Sequence, residues 1–418
     1  MFKTIIYNCV VAAGVIIASP YGLAQSEPST DCDSKNPRQA VKGCTDLLDD
    51  MSLRAGEAGL AHYKRGVAYH KMRKYTEALV DYTTAIDYLP DHHVAYINRG
   101  QALRMLKQYE PSLKDYEQGL RGMPKSVIGH LGRGFTLAAL GRQFDAVDAF
   151  STVLRLKPSY SVALKARGRA HRHLKNYDKA LADLDLAIAL KPDYAAAYVD
   201  RGTVYLDKKN HRNALADYSK AITLNPDSSI AYYNRGLTRR RMNNFSGAID
   251  DYSRALQLRP NYTSALLNRG VAYRHMKQYE KAVVDYTTAL GIKPGYVLAH
   301  FNRAIAYRYL KQYDAAIEDA NIVVDNRPDD HGAYRNRAVI YRHSGQFELA
   351  LTDYSTALRL KADSVSALAG RALTYLALDQ AELALRDADR AMVLNPRHSL
   401  ARRAQSESRK ALGKPSND

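Results

Sequence analysis

The chain has 418 residues, of which 46% are hydrophobic and 25% are charged. This is an ordinary globular composition, so it argues against a low-complexity chain, and the length predicts two or three domains. Lysine and arginine outnumber the acidic residues by 61 to 43, for a net charge of +18. That charge bears on partners and solubility and excludes no fold.

The first 24 residues have the pattern of a secretory signal peptide. Lys3 precedes an apolar run, IIYNCVVAAGVIIA, and small residues follow at Gly22 and Ala24. A membrane anchor is the alternative, but the run is shorter than the roughly 20 residues that a transmembrane helix needs. We therefore predict a signal peptide over residues 1–24 and an exported protein, periplasmic or secreted, with no stable membrane insertion after cleavage.

Two of the three cysteines lie beyond this segment, in an N-terminal arm of residues 25–58. In an exported protein an even pair predicts a disulfide, here between Cys32 and Cys44. Cys44 lies in a predicted helix that begins with the capping residue Asn36 and Pro37. The bridge would tie the arm to this capping helix, and closing a loop of this length is worth about 3 kcal/mol. A two-cysteine metal site is less favoured, because no histidine is near either cysteine in the sequence.

Residues 59–398 consist of ten copies of one pattern with a period of 34 residues. AYYNRGLTRRRMNNFSGAIDDYSRAL, for example, aligns with ALLNRGVAYRHMKQYEKAVVDYTTAL, 34 residues later. A small residue recurs at this spacing, at Gly66, Gly100, Gly134, Gly168, Gly202, Gly236, Gly270, Ala304, Ala338 and Ala372. The pattern predicts pairs of amphipathic helices, which bury their shared apolar face only when neighbouring pairs stack.

This pattern resembles the tetratricopeptide repeat. The small residue matches position 8 of that motif, Tyr69 position 11, Ala78 position 20, Tyr82 position 24 and Pro90 position 32. The resemblance implies an all-α fold, an α-α superhelix of antiparallel helix pairs. The stack needs polar ends, which we assign to the N-terminal arm and to residues 399–418, a C-terminal capping helix and tail. That helix is predicted to be apolar only along Leu400, Ala404, Ala411 and Leu412.

Two opposite charges share the period and predict a structural ladder of ion pairs. Position 7 is arginine in every copy, from Arg65 to Arg371, and position 23 is aspartate in all copies but one, from Asp81 to Asp387. Ala149 breaks the acidic series. We therefore expect the half-buried arginine of that repeat to be unpaired, at a cost in local stability.

Further polar residues occupy positions 2, 5, 6, 9, 12 and 13, which line the concave groove in proteins similar to this one. Position 6 carries Asn98, Asn234, Asn268, Asn302 and Asn336. Positions 12 and 13 carry Arg104, Arg172, Arg240, Arg241, Arg274, Arg308 and Arg342. Asparagine amides can pair with a peptide backbone, and arginines suit carboxylates or phosphates. We predict that these residues form a partner-binding groove; the alternative is a basic face that only keeps the protein soluble.

The sequence carries no glycine-rich phosphate loop, nucleophile elbow or HExxH motif. His171 and His173 lie on different helix faces, and His92 and His93 are expected to be exposed. Most of the 31 tyrosines occupy packing positions, which together with export argues against a nucleic-acid partner. We therefore expect no enzymatic activity, no cofactor and no metal.

These observations predict a non-catalytic protein–protein interaction scaffold or adaptor. Its partner would be a protein or an extended peptide segment, acidic to match the basic groove. The alternative is a structural scaffold of an envelope polysaccharide or secretion assembly that binds anionic glycan. Salt-dependent binding of a uronate-rich polymer, with little binding of peptides, would favour that alternative.

Overall fold

The computed structural model describes residues 31–50 and 52–415, so the predicted signal peptide at residues 1–24 lies outside the described residues. The described part of the chain folds into 22 α-helices and contains no strand. The predicted all-α fold is confirmed. The helices fall into two compact units, which divide after Pro226.

The first unit contains eleven helices in which each helix contacts the next. They are α1 (Pro37–Leu48), α2 (Ala55–Lys71), α3 (Tyr75–Tyr88), α4 (His93–Met105), α5 (Tyr109–Gly122), α6 (Val127–Ala139), α7 (Gln143–Leu156), α8 (Ser161–His173), α9 (Tyr177–Leu190), α10 (Ala195–Asp207) and α11 (His211–Leu224). From α2 onward the helices form hairpins, one for each repeat, and successive hairpins stack.

The second unit continues the same arrangement with five further hairpins and a closing helix. Its helices are α12 (Ser229–Arg241), α13 (Phe245–Leu258), α14 (Thr263–His275), α15 (Tyr279–Ile292), α16 (Val297–Tyr309), α17 (Tyr313–Asn326), α18 (His331–His343), α19 (Phe347–Leu360), α20 (Val365–Leu376), α21 (Ala381–Leu394) and α22 (Ser399–Ala411).

Each hairpin turns at a residue in the left-handed backbone region, at position 15 of the repeat. In the second repeat this is Lys107, with φ of 63°, and its N–H donates to Arg104 while the next N–H donates to Leu103. This is the Schellman motif, which satisfies the last carbonyls of a helix. Only two repeats have glycine there, Gly141 and Gly345. The other eight hold a residue with a side chain in this less favourable region.

The predicted ladder of ion pairs is confirmed in nine repeats. Each arginine at position 7 donates from Nε and Nη2 to both carboxylate oxygens of the aspartate at position 23, over 2.6 to 3.2 Å. Nη1 of most of them reaches position 25 of the preceding repeat, as Arg269 Nη1 donates to the Ser253 hydroxyl at 3.0 Å. One guanidinium therefore links two helices of its own repeat and also the neighbouring repeat.

The expectation of an unpaired arginine in the third repeat is wrong. Arg133 has no aspartate in its own repeat, where Ala149 stands, but its Nε lies 4.0 Å from Glu117 of the preceding repeat. Glu117 occupies position 25, the position that the other ladder arginines also reach. The replacement is a weaker contact, because it is long and the Glu117 side chain is half exposed.

The N-terminal arm is fastened to the first helix by the predicted disulfide between Cys32 and Cys44, which the structure contains. Asn36 caps α1, as predicted, by accepting from the Arg38 N–H. Gly43 permits the close approach, because a side chain there would lie 2.5 Å from the backbone of Cys32. Lys64 of the first repeat adds an ion pair to Asp33 of the arm.

The C-terminal helix α22 covers the last hairpin with a different stripe from the predicted one. Its buried residues are Ala401, Ala404 and Ser408, whereas Ala411 is exposed and Leu412 follows the helix. Ser408 occurs at the core-facing position because its hydroxyl donates back to the Ala404 carbonyl at 2.7 Å. The prediction of Ala411 rested on apolar residues alone. It did not anticipate that Ser408 could be buried with its hydroxyl hydrogen-bonded to the backbone.

Candidate functional site

The three consecutive arginines that end α12 have three different environments. Arg239 turns inward, where Nη1 lies 2.9 Å from Asp251, so it joins the structural ladder. Arg240 is half-buried and Arg241 is exposed. The sequence analysis places Arg240 and Arg241, but not Arg239, among the predicted groove residues, and it does not distinguish Arg240 from Arg241.

Arg240 belongs to a row of four arginines in the second unit, one for each of four consecutive repeats. All four occupy position 12 and all are half-buried. Among the described residues none of them has a carboxylate within 4.0 Å, and the Nε of each is buried without a hydrogen-bond partner. We call this row, Arg240, Arg274, Arg308 and Arg342, the arginine row.

Tyrosine rings lie one helical turn from two members of the arginine row. The Tyr252 ring packs on Gly236, one helical turn before Arg240, and the Tyr286 ring packs on Gly270, one turn before Arg274. Burial raises the pKa of the Tyr252 and Tyr286 hydroxyls well above the ordinary range, and the neighbouring arginines oppose that shift. Both phenols therefore stay neutral beside the cations.

The asparagines at position 6 are more buried than a ligand-binding ladder requires. Asn98, Asn302 and Asn336 are buried, and Asn234 and Asn268 are half-buried. Asn268 donates from Nδ2 to the Tyr233 hydroxyl of the preceding repeat at 3.1 Å and to the Ser264 carbonyl at 2.8 Å. The Nδ2 donors of this side chain are therefore already used in bonds to the protein. Asparagines in such bonds have fewer groups free to pair with a peptide backbone than their spacing suggests.

Between the asparagines and the arginines lies a row of aliphatic side chains at position 9. Its members in the second unit are half-buried: Leu237, Val271, Ile305 and Val339. His275 and His343 stand beside the arginine row at position 13. Burial, followed by the charge of Arg274 and Arg240, lowers the pKa of His275. The surface at neutral pH is thus cationic at the arginine row and apolar beside it.

The first unit has two arginines at position 12, Arg104 and Arg172, and one of them has an acidic neighbour. Arg172 Nη1 lies 3.3 Å from Asp207, at position 13 of the next repeat. Arg169 Nη2 lies 3.0 Å from Asp200, at position 6 of that repeat. Arg104 instead lies over the Phe135 ring, 5.7 Å from its centre. The predicted binding residue Arg172 is thus placed in an internal ion pair.

No group of three histidine, cysteine, aspartate or glutamate side chains that could hold a metal occurs among the described residues. His171 is half-buried and His173 is exposed. The expected exposure of His92 is wrong: its ring is buried, with its centre 4.5 Å from that of Tyr63. Over the same described part of the chain, no helix has the length and apolarity to span a membrane.

Sequence profiles of the tetratricopeptide repeat match residues 59–92, 161–194, 195–228, 229–262, 263–296 and 301–367, which together make up more than half of the chain. The chain belongs to the tetratricopeptide repeat family. No curated protein matches it.

Several solved structures of tetratricopeptide repeat proteins are similar to this chain at low identity. A repeat protein from Parabacteroides merdae ATCC 43184 is 20% identical, with 59% of this chain and 98% of that chain covered and a TM-score of 0.48. The repeat protein YrrB, described as having an unusual peptide-binding site, is 20% identical over 44% of this chain and 95% of that one, with a TM-score of 0.36.

Tetratricopeptide repeat proteins are in general non-catalytic scaffolds that bind protein or peptide partners, and the fold indicates that role here. The sequence analysis missed the acids and tyrosines that surround the predicted binding arginines. The acids are visible in the repeat alignment, since Asp207 stands at position 13 of the repeat after Arg172, where repeats six to nine have arginine, histidine or tyrosine.

Proposed function

We propose that the second unit binds an extended acidic segment of a partner protein along the arginine row. The observation that carries this proposal is the contrast in pairing. Each ladder arginine and each of Arg169 and Arg172 has an acidic neighbour, whereas the arginine row, with four guanidinium groups in consecutive repeats, has none among the described residues.

Physical chemistry gives such a row a preferred ligand. A half-buried guanidinium has lost part of its hydration, and an uncompensated charge in that position is costly. A carboxylate restores the loss through charge-assisted hydrogen bonds, and guanidinium matches its planar geometry with two parallel donors. Four sites in series favour a ligand that carries several carboxylates on one chain, because each additional contact is then intramolecular.

The aliphatic row adds a second requirement for the partner. Leu237, Val271, Ile305 and Val339 lie one turn from the arginines on the same helix faces, so the ligand would place apolar side chains there. A segment that mixes acidic and aliphatic residues therefore fits better than a purely acidic one. Burial of the apolar side chains would contribute about 25 cal/mol for each Å² removed from water.

Calorimetric titration of the full chain tests the proposal. The ligand is a 20-residue peptide that combines glutamate and leucine, and the controls are its lysine counterpart and a polyuronate. The test variant carries Arg240→Gln, Arg274→Gln and Arg308→Gln. A matched variant removes three exposed cations from the second helices of hairpins in the same unit, with Arg254→Gln, Arg359→Gln and Arg386→Gln.

We expect the groove variant to bind the acidic peptide at least about 30-fold more weakly, at roughly 0.7 kcal/mol for each lost charge pair. The matched variant should stay within about 3-fold of the parent protein. Equal losses in both variants would show that only net charge matters. If the protein binds the polyuronate in preference to the peptide, the ligand is an anionic glycan and the proposed peptide ligand is wrong.

We also infer that the protein acts outside the cytoplasm. The support is the signal-like pattern over residues 1–24 and the disulfide between Cys32 and Cys44, since oxidising compartments maintain such bridges. Mass spectrometry of the protein purified from cells tests this. A mature chain that begins after Ala24 supports export, and an intact N-terminus with free thiols contradicts it.

A further inference from the structure

Within the second unit, three of the four groove arginines share their repeat with a tyrosine at position 24. The pairs are Arg240 with Tyr252, Arg274 with Tyr286, and Arg342 with Tyr354. In all three the Nε of the arginine and the hydroxyl of the tyrosine are buried, and neither atom has a hydrogen-bond partner among the described residues. Buried polar groups without partners are rare, so three matching pairs call for a physical explanation.

The backbone brings the members of each pair together. The Tyr286 ring lies so close to Gly270 that an added Cβ would be 2.6 Å from it. Arg274 follows Gly270 by four residues, so it lies directly above the ring on the same helix face. The hydroxyl end of the ring and the arginine side chain thus lie near each other, and the charge of Arg274 opposes the rise that burial causes in the pKa of Tyr286. The buried Tyr286 ring is fixed, whereas an arginine has several rotatable bonds.

We propose that the hydroxyl of the position-24 tyrosine positions the groove arginine of its own repeat, by engaging Nε and directing the two Nη groups to the ligand. This inference rests on the function proposed above and adds a residue that does not touch the ligand. The tyrosine lowers the entropy that the arginine loses when it binds a carboxylate.

Repeats that lack one member of the pair treat the remaining member differently. The fourth repeat has Leu184 at position 24, and its Arg172 is paired with Asp207. The fifth repeat has Leu206 at position 12, and its Tyr218 hydroxyl donates to the Thr203 hydroxyl at 3.2 Å. In the eighth repeat Ala320 replaces the tyrosine. The Nε of Arg308 is buried without a partner there too, but its guanidinium lies over the neighbouring Tyr309 ring, 4.3 Å from its centre.

The first test needs no ligand. Arginine side-chain NMR on the full chain measures the order parameter of each Nε–H bond, which is about 0.85 for a rigid bond and below about 0.6 for a flexible one. Tyr286→Phe removes only the hydroxyl. We expect the Arg274 value to fall below about 0.6 in this variant, while that of Arg308, which has no such tyrosine, stays unchanged. An unchanged Arg274 value would overturn the inference.

The second test is a double-mutant cycle on binding of the glutamate–leucine peptide. Tyr286→Phe should weaken binding by about 3- to 10-fold, with the melting temperature within about 2 °C of the parent. In an Arg274→Lys background, which has no Nε–H, the same change should cost less than about 2-fold. Tyr218→Phe is the control and should leave the affinity unchanged.

The outcomes of the two proposals are separable. If Arg274→Gln weakens binding and Tyr286→Phe does not, the proposed function stands and the positioning role is overturned. If Tyr286→Phe costs as much with lysine at 274 as with arginine, its effect does not pass through Nε, and the inference fails. If no acidic peptide binds, the proposed function fails, and the order parameter alone decides whether the hydroxyl holds the arginine.

Discussion

The first helices of repeats four and five and those of repeats six to nine use one repeat frame for different purposes. In the first group, Arg172 and Arg169 are neutralised by Asp207 and Asp200 of the following repeat. In the second group, the arginine row has no carboxylate partner among the described residues, and histidine, tyrosine or arginine stands at position 13. An acid on the following repeat therefore separates the arginines held in internal ion pairs from those of the arginine row, which we propose contact a partner.

The ion pairs of the ladder arginines at position 7 are the same in both regions. Arg201 in the fifth repeat and Arg337 in the ninth each bind their aspartate at 2.7 to 2.9 Å. The arginine–aspartate pair is thus the same in nine of the ten repeats, and only the third, with Arg133 and Glu117, departs from it among the described residues. We expect differences in binding to arise on the groove face, which can vary without loss of the hairpin.

Removal of a ladder aspartate should have the largest effect, of equal size in both units. We expect Asp183→Ala and Asp353→Ala each to lower the local free energy of unfolding by about 3 kcal/mol, because each leaves a half-buried arginine without its bidentate partner. Hydrogen exchange of the amides in α9 and α19 measures this. Asp314→Ala, at an exposed position, is the control. A loss confined to one unit would contradict the uniform frame.

Acid should weaken the first unit at His70, which stands where later repeats have a groove arginine. Burial, followed by the charge of Arg104, lowers the pKa of His70 to about 4. Its usual value is about 6.5, so the stability that the neutral ring provides is complete above that pH and is lost as the pH falls through about 4. The loss amounts to about 3 kcal/mol.

His70→Gln, which cannot be protonated, checks that prediction. Between pH 7 and pH 4.5 the melting temperature of the parent protein should fall several degrees further than that of the variant. If the melting temperatures of the two proteins fall equally with pH, protonation of His70 is not the cause of the acid destabilisation.

Introducing the acids of the first unit at the same positions of the second should pair the arginines of the second unit internally, as in the first. His275→Asp places a carboxylate at position 13, where it would neutralise Arg240 as Asp207 neutralises Arg172, and His343→Asp would do the same for Arg308. We expect the double variant to bind the acidic peptide about 10-fold more weakly, or about 1.4 kcal/mol. The asparagine variants at both positions serve as controls, and an equal loss in them would indicate an effect of the lost imidazoles instead.

The reverse change, Asp207→Asn, should have the smallest effect on both stability and binding. The Arg172–Asp207 pair is partly exposed, with side chains 23% and 37% accessible, so its loss should cost no more than about 1 kcal/mol. The affinity of the second unit for the acidic peptide should remain within about 2-fold. A destabilisation above about 2 kcal/mol would show that the groove acids are part of the frame.

The sequence predicted the features that depend on the period alone: the hairpins, the ladder and the disulfide. It predicted less well where a side chain's direction depends on its neighbours. Asn302 and Asn336 fall on the predicted face and yet are buried. Arg133 was predicted to be unpaired but lies near Glu117. Position 25 of one repeat contacts position 7 of the next, and the sequence of a single repeat does not reveal this contact.

A reversal of specificity tests the central claim most directly. Arg240→Glu, Arg274→Glu and Arg308→Glu replace the cations with anions on the same helix faces, and circular dichroism confirms that the variant is folded. Titration of this variant with the acidic peptide and with its lysine counterpart should show loss of the first and gain of the second, because charge complementarity selects the ligand. Unchanged binding of the acidic peptide would contradict the account, since the arginine row would then be no more than a solvated surface.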